Sequence, residues 1–169
     1  MKIDLLALAK QSEETYIDVP CSFGDIRVYH VPDAITLSVS LGRPEPEQPE
    51  VAMRTATGIQ NRPSKKGDAV YDDWLKNKAA YDDELFRLRS ATATVYALKD
   101  IEYPDISKPP TNLAANVYNG NWPENEVLRK KIWLDFTVLA RRDDQNKILA
   151  ALNEMNGQNE PTDEMVEEV

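Results

Sequence analysis

Between Asp68 and Leu98 the apolar residues return with a helical beat. Numbered in heptads, Tyr71, Trp74, Tyr81, Leu85, Leu88 and Val95 fall on a and d positions, and only Lys78 and Thr92 interrupt. The spacing predicts one helix over residues 68–98, ~45 Å long at ~1.5 Å rise per residue. That is long for a chain of 169 residues. It argues for a helical hairpin or for a face offered to a partner.

The same stretch carries Tyr-Asp-Asp twice, at 71–73 and 81–83. Ten helical residues turn the face by about −80° and rise ~15 Å, so the two acidic pairs cannot share an ion. They are placed to support the helix instead. Asp72 precedes Lys76 by four residues and Asp83 precedes Arg87 by four, the favourable acid-first order. Asp82 alone falls within the apolar arc, one turn after Lys78. The pattern is a solvated helix face, not a catalytic signature.

Other chemistry is sparse. One cysteine, Cys21, and one histidine, His30, exclude an internal disulfide and a Cys/His zinc site within one chain. No glycine spacing makes a phosphate loop, and no nucleophile motif surrounds His30. The chain therefore reads as non-enzymatic, with no catalytic residues, no metal and no cofactor. Net charge is −9, and the basic clusters Lys65-Lys66, Arg129–Lys131 and Arg141-Arg142 are short and flanked by acids. That argues against nucleic acid as a partner. No apolar run reaches membrane-span length, and residues 1–14 lack a signal-peptide pattern. The expectation is a cytoplasmic protein with no membrane partner.

Residues 15–31 predict a β-hairpin with its turn at Phe23-Gly24. That register sets Val19 opposite Val28, Ile17 opposite His30 and Cys21 near Ile26. It holds Cys21 and His30 roughly 13 Å apart along the ladder. The alternation of Ile35, Leu37, Val39 and Leu41 predicts a strand, although Pro32-Asp33 could also open a short helix. Pro44, Pro46 and Pro49 predict an extended linker. As a spacer it needs no partner; as a ligand it would seek an aromatic groove. A short strand at 51–57, a loop at 59–67 and a short helix at 3–11 complete the first part.

Pro104, Pro109 and Pro110 mark a second irregular connector, and Asn119-Gly120 a turn. Pro123 is placed to open a further helix, with Asp143 or Asp144 capping another that stops at Asn156-Gly157. Residues 157–169 hold five acids and no Lys or Arg, so −5 of the net charge lies there. The fold expected is α+β: a small N-terminal β-hairpin or sheet, a Pro-rich linker, and a helical C-terminal region of two or three helices. In domain terms these are a β-rich segment at 1–57, a helical region at 58–156 with its connector at 99–122, and an acidic disordered tail at 157–169.

The aromatic residues are the candidate site. Tyr71, Trp74, Tyr81, Leu85 and Leu88 line one helix face, and Trp133 lies on the later helix. They either pack the two helices together or present anchors to a partner.

The order of parts carries a resemblance. VPCSFGDIRVYHVPDAITL precedes RPEPEQPEV, then GDAVYDDWLKNKAAYDDEL, then YPDISKPPTNLAANVYNGNWPENEVLRKKIWLDFTVL. This layout, over most of residues 15–156, resembles the tail assembly chaperones of long-tailed (siphovirus-type) bacteriophages and prophages. In that family a "DP-x-Y" run starts the long helix. Here Gly67–Tyr71 stands in its place, without the proline. The resemblance implies a non-enzymatic protein of the host bacterial cytoplasm that binds the helical tape-measure protein, or another phage tail protein, and keeps it soluble during assembly. It also implies that the acidic tail could end the shorter of two frameshifted forms. A homo-oligomer is compatible with it. The competing readings are a structural virion protein (a head–tail connector or tail-completion protein), an acidic DNA mimic, and an enzyme with a carboxylate site assembled only in the fold.

Overall fold

The computed structural model describes residues 15–109 and 122–157. The helix expected at 3–11, the turn at Asn119-Gly120 and the tail after Gly157 lie outside the described residues. The elements run β1 (Tyr16–Cys21), β2 (Gly24–Tyr29), α1 (Asp33–Leu37), β3 (Glu50–Thr55), β4 (Gly58–Pro63), α2 (Ala69–Ala97), α3 (Glu126–Phe136) and α4 (Arg142–Met155). The fold is α+β, with two separate antiparallel hairpins among the described residues, β1–β2 and β3–β4.

The described residues divide into two compact units. The first holds 15–38, 90–109 and 122–157, and the second 39–89. This differs from the expected split at 57/58, which would separate β3 from β4. Those strands are hydrogen-bonded to each other, so the pair stays in one unit. The unit boundary falls instead within α2, an unbroken helix contributing residues 69–89 to one unit and 90–97 to the other.

In the first unit, alternation aims one side of the hairpin inward. Val19 and Val28 are buried, and Ile17, Cys21 and Ile26 pack against the same core. Leu98 from the end of α2, Leu134 from α3 and Ile148 and Leu152 from α4 complete it. The observed register pairs Val19 with Ile26, Ile17 with Val28 and Cys21 with Gly24. It is two residues from the expected one. The loop is Ser22-Phe23, and Gly24 takes φ 126°, which favours glycine and lets β2 begin at once. A slip of two keeps every side chain on its own face, so the core set is unchanged. Cys21 sits beside the loop, while His30 follows β2 and donates its N–H to Thr15 O at 2.9 Å. The two remain at opposite ends of the hairpin.

Helix α4 fastens that hairpin. The Asp144 carboxylate, 3% exposed, accepts from Ser22 N at 3.0 Å and from Ser22 Oγ at 2.5 Å. Those bonds hold its pKa below the usual carboxylate range. Lys147 Nζ donates to Pro20 O at 3.1 Å. Asp144 therefore does not cap α4 as expected, and neither does Asp143. The N-cap is Arg141, and both acids lie in the first turn, where the helix dipole favours them. Helix α3 likewise starts later than Pro123. Asn125 is its N-cap, accepting from Val127 N at 2.9 Å and Leu128 N at 3.2 Å. The C-terminal stop of α4 falls at Asn156-Gly157, with Gly157 at φ 66°.

Two expectations are corrected in the middle of the chain. Residues 33–37 are helical rather than extended, because Pro32 at the N-cap and Asp33 in the first turn start a helix that outweighs the short alternation. Residues 58–63 form β4 rather than loop. Gly58, at φ 132°, closes a two-residue loop after Thr55, and polar Gln60, Asn61 and Arg62 then pair with β3. Pro63 is tolerated because it ends the strand.

Candidate functional site

The aromatic stripe of α2 lies mostly in the second unit, and the chain's own Pro-rich segment lies on it. Trp74 donates its indole N–H to Pro46 O at 3.1 Å. Tyr81, 8% exposed, has its hydroxyl 3.5 Å from Arg43 O, at the limit of a hydrogen bond. The Arg43 guanidinium stands 5.3 Å from the Tyr81 ring centroid and also pairs with Glu84. Tyr71 is half-buried, its ring centroid 5.5 Å from that of Trp74. The linker thus lies against the aromatic residues of α2, held there by the Trp74–Pro46 bond and by the contacts of Arg43.

Lys78, which interrupts the stripe, makes the polar link. Its ammonium meets Asp82 Oδ1 at 2.5 Å and Glu45 Oε1 at 3.0 Å. Those two hydrogen bonds, Asp82 first, raise its pKa and keep it charged. On this helix the i,i+4 ion pair among the described residues is Lys78–Asp82. The Asp72–Lys76 and Asp83–Arg87 pairs expected from spacing are not formed. Asp72, Asp73, Asp82, Asp83 and Glu84 are exposed, as a solvated face requires.

Arg62 and Asp68 support the start of α2. Arg62 Nη1 and Nη2 reach the two Asp68 carboxylate oxygens at 2.7 and 2.9 Å, and Lys65 N donates to Oδ2 at 2.7 Å. The bidentate guanidinium, then the backbone N–H, hold the Asp68 pKa down to about 2.

The other nominated residues divide. Leu88 is buried and Leu85 half-buried on the same helix. Trp133 belongs to the first unit, on α3. It is half-buried, and its indole N–H is enclosed without a hydrogen-bond partner. The a/d spacing does not reveal the neighbouring line of α2. Leu75 is 49% exposed and Phe86 73% exposed. They project within about 20° of each other, ~16 Å apart along the axis and roughly 100° round from Trp74. The available signal was their place outside the a/d register, where a large apolar side chain has no core to enter.

Among the described residues no three His, Cys, Asp or Glu side chains gather in a way that could hold a metal ion. Burial, followed by Asp144, raises the Cys21 thiol pKa, which disfavours the reactive thiolate. No helix is long and apolar enough to cross a membrane among the described residues. Comparison of the chain with models of protein families, with curated proteins and with solved structures finds no match.

Proposed function

We propose that this chain is a non-enzymatic tail assembly chaperone of a long-tailed bacteriophage or prophage, acting in the host bacterial cytoplasm. Its client is the helical tape-measure protein, which it holds soluble until the tail tube forms around it. The observation that carries the proposal is the uncovered apolar line of Leu75 and Phe86 beside an aromatic stripe already occupied by residues 43–46. A solitary exposed apolar residue needs no explanation, but two on one line of a helix, at i and i+11, offer a partner helix apolar contact at both ends of that line. The stripe nominated from sequence then plays a supporting part: Trp74 and Tyr81 seat the Pro-rich segment and so leave the adjacent line as the docking face. A net charge of −9 suits a protein that must remain soluble while carrying an apolar client.

The test is co-expression with the long helical protein encoded beside it. Under this reading that protein is recovered soluble and bound only when the present chain is made, and the present chain is absent from finished particles. Persistence in purified virions, with no effect on the partner's solubility, would replace the reading with that of a structural head–tail or tail-completion component.

A further inference from the structure

The first unit has a groove walled by Val95 of α2, Ile101 and Tyr103 of the segment after it, and Val127 of α3, with a cavity volume near 350 Å³. Lys99 and Lys130 are the only charged side chains among its described lining residues. The Lys99 ammonium lies 4.2 Å from the Tyr29 ring centroid and 5.3 Å from that of Tyr96. Lys130 pairs at 2.7 Å with Glu126, a side chain 67% exposed, and stands 5.6 Å from the Tyr103 ring centroid. Tyr103 adds a buried hydroxyl with no hydrogen-bond partner. Burial pushes its pKa up to about 12, so it stays a donor at every physiological pH. An apolar floor and two cations suit an occupant that is apolar and anionic together.

We propose that this groove receives the chain's own acidic C-terminal segment, residues 158–169, which brings Met165, Val166 and Val169 to the apolar floor and Glu164, Glu167 and Glu168 to Lys99 and Lys130. The segment carries five carboxylates and no Lys or Arg, a complement to a groove whose charges are both positive. It follows directly on α4, which ends at Met155 in the same unit. Twelve extended residues reach about 40 Å at ~3.3–3.6 Å each. A body of this size has a radius of gyration of roughly 13 Å, so the groove is within that span. Tethering also raises the local concentration of the segment to the order of millimolar, so a weak site suffices. The proposal stands independently of the client reading, since it rests on a groove in the other unit.

Carbodiimide coupling of the full chain, which joins a carboxylate to a lysine only when they touch, tests it directly. Isotopically light and heavy chains are mixed before coupling, and the joined peptides are mapped by mass spectrometry. The expected result is Glu164, Glu167 or Glu168 joined to Lys99 or Lys130 within one chain, several-fold above any other lysine. The joined peptides should fall steeply in high salt and be redirected away from each lysine in Lys99→Glu and Lys130→Glu, with the helical signal unchanged. Coupling spread evenly over Lys65, Lys66, Lys108 and the rest would overturn the proposal. So would coupling found only between light and heavy chains, which would make a second copy the occupant, and so would no coupling at all.

Discussion

The Trp74 indole N–H and the Pro46 carbonyl meet at 3.1 Å, which fixes the Pro-rich segment on the helix that follows it in sequence. Trp74→Phe keeps most of the apolar surface and removes the donor. The expected loss of stability is about 0.5–1.5 kcal/mol, the usual net worth of one such bond. Limited proteolysis should locate the change. Cleavage after Glu47 by a Glu-specific protease rises in the variant, while cleavage within α4 is unaffected. Unchanged cleavage at Glu47 would mean that the segment is held by something other than this bond.

Asp68 sets a pH window. Its folded pKa is held near 2 by Arg62 and the Lys65 N–H, below the ordinary value of 3.8. A depressed carboxylate contributes stability that is fully present above 3.8 and is lost as pH falls through about 2. Asp68→Asn should therefore melt below the parent at neutral pH, and the gap should close as the buffer is taken below that range. A carboxylate carbon titration by NMR reads the same pKa directly.

The core of the first unit answers to volume. Leu98 and Ile148 are fully enclosed, each 0% exposed. Leu98→Ala should cost ~2–5 kcal/mol and Ile148→Val ~0.5–1.5 kcal/mol in urea denaturation, from lost transfer energy and the cavity left behind. Much smaller values would show that the hairpin, α2 and α4 do not share one core.

Leu75 and Phe86 should behave oppositely. Leu75→Ser and Phe86→Ser remove exposed side chains, so denaturation should shift by no more than about 0.5 kcal/mol. A large loss would place these residues inside a packing contact and withdraw them as a docking face.

Legibility followed periodicity. The heptad beat from Tyr71 to Val95 marks a real helix, Ala69–Ala97, and the alternation in β1 and β2 marks their inward face. The hairpin register was not legible, because a slip of two leaves every face as it was and only the conformation of Gly24 discriminates. Strand β4 was hidden because Gln60, Asn61 and Arg62 carry no apolar alternation; its pairing with β3 is a backbone fact. The site shows the same limit. Tyr71, Trp74 and Tyr81 announce a sticky helix face, but nothing local says that residues 43–46 cover it. The cover uses the Pro46 and Arg43 carbonyls together with the Lys78–Glu45 and Arg43–Glu84 ion pairs, and none of these pairings follows from the spacing of the residues. Once the stripe is covered, exposure decides what remains, and exposure of Phe86 is a property of the folded chain.

The most direct test of client binding by α2 is a pull-down from cells co-expressing the tape-measure protein with the parent chain, Phe86→Ser or the Leu75→Ser/Phe86→Ser pair. The account predicts soluble client bound to the parent, with binding and client solubility falling stepwise in the variants although each melts like the parent. Equal recovery of soluble client with all three, or soluble client with none of them present, would contradict it.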